Sequence, residues 1–232
     1  MSIQYSITQN PDFALITVQL EAGQKIYSEP GAMASMDDNI KLTAGLQGGI
    51  MSSIKRGLGG ESLIISTYEA EGKSGELTLA AGQPGDAVHY KMDKTCDLLL
   101  QRGSYLAHSD GVEISSSWQG MRGFFSGEGL ILLKVSGKGD LFFNSFGAII
   151  EIDVEDDLYI DTGFIVAFEA TLSYNVTTLP GLRPGTNWKS LFLGGEGLVC
   201  RFSGKGKVWI QSRQMSTFLQ WVHPYRPVET SN

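Results

Sequence analysis

The sequence has no hydrophobic run long enough to cross a bilayer and few cysteines. No stretch of about 18 consecutive apolar residues occurs among its 232 residues. The two cysteines, Cys96 and Cys200, lie far apart without a Cys-x-x-Cys pair, which excludes a disulfide framework and a cysteine zinc site. The first residues lack a basic segment followed by an apolar core, so no signal peptide is expected. We therefore expect a soluble protein of the reducing cytoplasm.

Positive charge is also scarce. The chain carries 18 Lys and Arg residues against 25 Asp and Glu residues, giving a formal net charge of −7. An acidic protein is not attracted as a whole to the phosphates of nucleic acids, although a local basic patch stays possible. Nucleic acid is therefore not an expected partner.

The motifs of common enzyme classes are missing. No Gly-x-Ser-x-Gly nucleophile elbow occurs. The three histidines, His89, His108 and His223, are not spaced to share a metal ion, and His108 is expected to be a half-buried strand residue. The alternating carboxylates of residues 151–155 are expected to form the solvated face of a strand. The sequence predicts no catalytic residue, no cofactor and no metal site.

What the chain does have is an internal repeat. The segment Gly127–Gly139 recurs as Gly195–Gly206, and a drifted copy spans Gly60–Gly75. Self-similarity at a fixed period indicates a repeated architecture. We expect a single domain over residues 1–232, with repeats of roughly 1–95, 96–160 and 161–232, forming one body with pseudo-threefold symmetry.

Apolar residues alternate with a period of two, which is typical of strands. The alternating segments are Phe13–Leu20, Leu63–Tyr68, Glu76–Ala80, Gly129–Val135 and Val208–Gln211. Only part of Ile50–Leu58 and Gln214–Val222 favour a helix. The pattern predicts an all-β fold with one short C-terminal helix.

Each copy of the repeat contains a glycine-rich element and a glutamate at an equivalent position. The glycines are expected to form hairpin loops, where a positive φ is needed. The glutamates are expected to be structural, bonding turn amides, because an active site is seldom built three times. These predicted turn residues are Gly137, Gly139, Gly204 and Gly206, and the glutamates are Glu61, Glu128 and Glu196.

Three motifs resemble a known family. They are the Glu29–Met33 segment, the Gly-Gly-Glu and Gly-Glu-Gly elements, and the Gly123–Gly129 segment. Together they resemble the bacterial AIM24-type proteins, a family of unassigned function related to a yeast mitochondrial biogenesis factor. The resemblance implies three β units of the double-stranded β-helix or β-sandwich type. Each unit would be similar to a subunit of the trp RNA-binding attenuation protein. The resemblance also implies a homo-oligomer, and the family supplies no catalytic residues to transfer.

Each repeat carries a glycine-rich insertion in which basic residues stand among apolar ones. Under threefold symmetry the insertions would emerge at one end of the body. The leading interpretation is that they plug this end as part of the core. The alternatives are a surface for an unidentified protein partner or for an anionic membrane. The residues concerned are Lys55, Arg56, Trp118, Arg122, Phe124, Phe125, Trp188 and Lys189.

The repeated architecture predicts a non-enzymatic, oligomeric interaction scaffold that acts through the insertions or through exposed sheet edges. One alternative is an RNA-binding protein, suggested by fold analogy, in which Lys73, Lys138 and Lys205 would line phosphates. Another is a small-ligand or metal-dependent enzyme with a pocket inside the β body. Metal analysis and RNA binding would separate these alternatives from a scaffold.

Overall fold

Strands dominate the computed structural model, which describes residues 2–46, 64–115, 132–177 and 199–226. The all-β prediction is therefore confirmed. The one α-helix within these ranges, α1, spans Met215–Val222 and confirms the predicted C-terminal helix. The helix suggested within Ile50–Leu58 lies outside the described residues.

The strands fall into three groups, which we call units. In each unit the last strand pairs with the first. In unit 1 an additional strand, β1 (Gln4–Thr8), precedes the first strand, β2 (Leu15–Leu20). The other strands of unit 1 are β3 (Lys25–Ser28), β4 (Met33–Met36), β5 (Ile40–Leu46), β6 (Ile64–Ala70) and β7 (Gly75–Ala80). Unit 2 contains β8 (Ala87–Asp93), β9 (Leu98–Gln101), β10 (Tyr105–Ser109), β11 (Val112–Ser115) and β12 (Leu132–Asn144). Unit 3 contains β13 (Ile149–Val154), β14 (Leu158–Asp161), β15 (Ile165–Glu169), β16 (Ser173–Thr177), β17 (Val199–Ser203) and β18 (Gly206–Gln211).

The same antiparallel pairings occur in each unit. The first strand pairs with the last: β2 with β7, β8 with the second half of β12, and β13 with β18. The second and fourth strands flank the fifth: β3 and β5 flank β6, β9 and β11 flank the first half of β12, and β14 and β16 flank β17. The third strands, β4, β10 and β15, pair with β7, β12 and β18.

A register shift marks the third strand of every unit at the same place. It falls between Met33 and Ser35 in β4, between Tyr105 and Ala107 in β10, and between Ile165 and Ala167 in β15. A bulge of this kind bends a strand and increases its twist. The shared bulge aligns the three units residue by residue.

Neighbouring units are joined edge to edge. β10 of unit 2 pairs with β3 of unit 1, and β15 of unit 3 pairs with β9 of unit 2. Among the described residues, no strand pairing joins unit 3 back to unit 1. The pseudo-threefold symmetry therefore stays a prediction.

The glycine-lysine-glycine elements are not hairpin loops, and that prediction is wrong. The strands on either side of Gly204 do not pair with each other, and β12 runs through Gly137 without a break. Each element is instead a bend at which the chain leaves one sheet and enters another. Gly137 and Gly204 do have the expected positive φ, at +97° and +104°.

The core consists of three hydrophobic clusters that follow the units. Alternating side chains supply them, as in β2, where Ile16, Val18 and Leu20 are fully buried. The first cluster includes Leu106 and Phe142 of unit 2 beside the residues of unit 1, so the cores are shared across the junctions. This sharing makes each unit depend on its neighbour for burial.

We expect alanine substitutions at the two bend glycines, Gly137 and Gly204, to lower the free energy of unfolding by different amounts. A Cβ at Gly137 would overlap the carbonyl oxygen of Gly111, whereas a Cβ at Gly204 would meet only Thr171 O at 3.9 Å. We expect Gly204→Ala to lower the free energy of unfolding by about 1–2 kcal/mol through backbone strain alone. We expect Gly137→Ala to lower it by about 3 kcal/mol or more, because the backbone must also shift. Urea denaturation checks both, and equal losses would contradict the bend geometry.

Candidate functional site

The three insertions lie outside the described residues, but the strands on either side of them are clear. Each insertion connects the fourth and fifth strands of its unit. The flanking pairs are Leu46 with Ile64, Ser115 with Lys134, and Thr177 with Val199. The insertions therefore occupy the same topological position in all three units. Outside the described residues lie Lys55, Arg56, Trp118, Arg122, Phe124, Phe125, Trp188, Lys189, Glu61, Glu128 and Glu196.

The described part of the chain holds no group of three His, Cys, Asp or Glu side chains placed to bind a metal ion. Within the same ranges, no helix combines the length and the apolar character needed to traverse a bilayer. The carboxylates at 151–155 behave as a strand face. Glu151 accepts a bond from Trp209 Nε1 at 3.0 Å, and Lys207 contacts both Glu151 and Asp153.

A buried carboxylate that the sequence analysis missed holds the N-terminus on unit 2. Asp140, in β12, is fully buried and accepts hydrogen bonds from the Ile3 amide at 3.1 Å and Lys91 Nζ at 2.8 Å. His89 Nε2 lies 2.9 Å from the same carboxylate, and the His89 ring stacks on Tyr5 of β1. The sequence feature that could have revealed this site is a single aspartate between Gly139 and an apolar run.

The pKa of Asp140 reflects two opposing effects. Burial alone raises the pKa of this carboxyl, but hydrogen bonds from Lys91 and His89 outweigh burial and hold the pKa below its usual range. The group is therefore an ionised anchor for residues 2–5. Its partners are the chain's own N-terminal strand and β8, so the cluster is a structural contact between units 1 and 2.

A second polar network lies where β3 of unit 1 meets β10 of unit 2. The Tyr105 hydroxyl lies 2.7 Å from His108 Nδ1 and donates to the Tyr27 carbonyl at 3.2 Å. The rings of Tyr27 and His108 stack at 5.0 Å, and the Tyr27 hydroxyl donates to Asp110 at 2.7 Å. His108 is fully buried, so the prediction of a half-buried histidine is wrong.

Burial shifts the pKa values of several groups at the junction, among them His108 and Glu29. Burial lowers the pKa of His108 to about 3, so the imidazole is neutral at physiological pH. Burial raises the pKa of Glu29, which follows β3 directly, to about 7, against a smaller lowering by a backbone hydrogen bond from Gly82. The cleft beside this network is lined by residues 21–25 and by Ser109 and Asp110. His108 contacts Tyr27 across the junction, so it serves the contact between strands of neighbouring units.

Two sheet edges, one in unit 1 and one in unit 3, are exposed instead of buried at a junction. All four residues of β4, which ends the four-stranded sheet, are exposed, including Met33 and Met36. β14 ends the three-stranded sheet, and its Tyr159 is also exposed. The corresponding strands of the other units are covered at the junctions. We therefore identify the edges of β4 and β14 as the candidate interaction site.

We expect the substitution His108→Phe to change how the free energy of unfolding depends on pH. Phenylalanine is the residue at the equivalent position of unit 3, Phe168. A histidine whose pKa is lowered on folding stabilises the protein fully above its unfolded pKa of about 6.5, and this stability is lost as pH falls. The wild type should lose about 1.4 kcal/mol per pH unit relative to His108→Phe between about pH 6 and 4. Urea denaturation at each pH measures the difference.

The variant is needed as a reference because the pKa shift of Glu29 changes the stability with pH in the direction opposite to that of His108. Its raised pKa stabilises the fold at low pH, and that stability is lost as pH rises through about 7. In His108→Phe the Tyr105 hydroxyl keeps the Tyr27 carbonyl as its acceptor. Parallel stability curves for the two proteins would contradict a buried neutral His108.

Comparison with known proteins agrees with this architecture. A crystal structure of a Streptococcus pyogenes protein superimposes with a TM-score of 0.78 at 28% sequence identity, covering 97% of this chain and 100% of that protein. An uncharacterized protein of Streptococcus pyogenes serotype M6 is 27% identical over 239 aligned positions, covering 99% of this chain and 93% of the relative.

The family assignment follows from a match over nearly the whole chain. Residues 5–213 match the family described as mitochondrial biogenesis AIM24. That range contains all seventeen strands from β2 to β18 and nearly all of β1, and it ends just before α1. The chain therefore belongs to the AIM24 family.

Proposed function

We propose that this protein is a non-enzymatic interaction scaffold of the cytoplasm that works as a homo-oligomer. One observation carries the proposal. The units of the chain are joined through the edges of their sheets, and two further edges of the same kind, β4 and β14, are exposed. A protein that already builds its own body by edge pairing has the surfaces needed to recruit another protein in the same way.

The composition of these edges supports the proposal. Exposed sheet edges are usually protected by lysine, proline or a covering segment, because unpaired backbone groups invite pairing with another chain. β4 reads Met-Ala-Ser-Met and β14 reads Leu-Tyr-Ile-Asp, without lysine, arginine or proline in either strand. Edges of this kind favour association over protection.

The buried titratable groups also support a scaffold over an enzyme. Asp140 anchors the N-terminal strand, and His108 contacts the tyrosine that bonds across the junction. Both therefore act between elements of the fold. The likeness of each unit to a subunit of the trp RNA-binding attenuation protein stays a prediction.

Oligomerisation predicts a molar mass that is a multiple of the 25.2 kDa chain. Sedimentation equilibrium from about 1 to 100 µM should show more than one copy per particle at the upper end of the range. A constant mass of one chain over this range would contradict a homo-oligomeric scaffold. Light scattering after gel filtration provides an independent measure of the same mass.

As the alternative to burial of the insertions in the core, we propose that they form a second, separable surface that binds anionic membranes. Lys55, Arg122 and Lys189 would contact lipid head groups while neighbouring aromatic side chains enter the interface. We expect the wild type to sediment with anionic vesicles and not with neutral ones. The triple variant Lys55→Glu, Arg122→Glu, Lys189→Glu should lose this binding while keeping the wild-type urea midpoint. Equal binding by both proteins would contradict the membrane surface.

A further inference from the structure

We propose that β4 of one copy pairs antiparallel with β14 of a second copy, joining unit 1 of one molecule to unit 3 of the next. The inference rests on the proposed oligomeric scaffold and names its partner, a second copy of this chain, and the surface that the partner occupies. The two junctions within the chain provide the template for this pairing.

Both internal junctions follow one rule. The third strand of a unit pairs with the second strand of the unit before it, as β10 does with β3 and β15 with β9. β4 is the third strand of unit 1, and no described strand pairs with its outer edge. β14 is the second strand of unit 3, and its outer edge is likewise unpaired among the described strands. These two edges are thus the complementary, unfilled halves of the same junction.

The register of the missing junction follows from the shared bulge and the shared turn. The bulge places Ser35 and Met36 of β4 at the positions of Ala107 and His108 in β10. β9 and β14 both end immediately before a 3₁₀ turn, at Gln101 and Asp161, which makes Tyr159 equivalent to Leu99. The internal pairs are Ala107–Ser28, His108–Tyr27, Ser109–Ile26, Ala167–Leu100, Phe168–Leu99 and Glu169–Leu98. The predicted pairs between copies are Ser35–Ile160, Met36–Tyr159 and Asp37–Leu158.

Exposure distinguishes the filled junctions from the unfilled ones. Phe168 and Leu99, the central pair between units 2 and 3, are each 1% exposed. Met36 and Tyr159, the corresponding pair at the free edges, are each 40% exposed. A methionine facing a tyrosine ring is a favourable cross-strand contact, and pairing would remove both side chains from water.

Other edges in the fold do not have this property. The fourth strands, β5, β11 and β16, each pair only with the fifth strand of their own unit among the described residues. Their outer edges are free at the internal junctions as well. Only the third and second strands are joined wherever a neighbouring unit exists, which selects β4 and β14.

The C-terminal helix adds apolar surface on the β14 side. Gln214, at the start of α1, donates to the Asp161 carboxylate at the end of β14, with a distance of 2.7 Å. The helix exposes Phe218, Leu219 and Trp221 to solvent. An incoming copy that pairs with β14 would meet this helix beside the strand.

The contact is heterologous, because it joins two different surfaces. After each addition the assembly keeps one free β4 edge and one free β14 edge, one at each of its two ends. Repetition gives a closed ring if the rotation between copies closes, and an open filament if it does not. The proposal therefore predicts a head-to-tail assembly and excludes a twofold dimer in which β4 meets β4.

Disulfide trapping tests the pairing directly. One chain carries Met36→Cys and a second chain, tagged to differ in mass, carries Tyr159→Cys. Paired strands bring Cα atoms to about 4.5–5.5 Å, within the range that a disulfide spans. Under mild oxidation we expect the mixed dimer to form in excess of either homodimer. Met36→Cys mixed with Leu42→Cys is the matched control, because Leu42 is 47% exposed on β5, and it should give no such excess.

Charge at the same position tests the assembly without oxidation. Met36→Glu should raise the dissociation constant between copies by about 100-fold or more, because it places a carboxylate in an apolar contact. Leu42→Glu should leave the dissociation constant unchanged. Urea midpoints verify that both variants fold. If Met36→Glu does not fold, the disulfide-trapping experiment still tests the pairing.

The remaining outcomes separate the two proposals. If the wild type is oligomeric but Met36→Cys and Tyr159→Cys give no excess mixed dimer, this pairing is overturned while a scaffold using another surface stands. A disulfide formed within one chain of the double variant Met36→Cys, Tyr159→Cys would also overturn it, and would support closed threefold symmetry instead. A monomer at every concentration would overturn both proposals.

Discussion

Antiparallel pairing between the third strand of one unit and the second strand of the unit before it is the contact on which the whole body depends. A strand edge carries backbone donors and acceptors that must find partners, and at both internal junctions the neighbouring unit supplies the paired strand. Because the pairing also brings the hydrophobic clusters of adjacent units together, the same contact satisfies the backbone and completes the core.

The bends at the glycine-rich elements make this arrangement possible. One continuous stretch of chain, such as β12, pairs with β9 and β11 before its bend and with β8 and β10 after it. A unit can then contribute strands to two sheets and contact neighbours on both sides. Gly111 and Gly137 approach each other so closely at the bend in unit 2 that a side chain at position 137 would displace the backbone.

The two junctions differ in their buried polar groups but have the same strand pairing. Between units 1 and 2 the central pair is a histidine stacked on a tyrosine, with Asp140 anchoring the N-terminal strand nearby. Between units 2 and 3 the equivalent pair is Phe168 and Leu99, which is wholly apolar. The same backbone pairing therefore accepts either chemistry, because the strands supply the hydrogen bonds and the side chains need only fill the space.

The sequence by itself determined the all-β class, the C-terminal helix and the threefold repeat of motifs, because alternation and glycine spacing are local properties of the chain. It did not reveal that the glycine elements are bends between sheets, since a bend and a hairpin loop both require glycine with positive φ. It also did not reveal Asp140 or the free edges of β4 and β14. Which strands meet depends on contacts between residues distant in sequence, so only the tertiary structure decided which edges are filled and which are unpaired among the described strands.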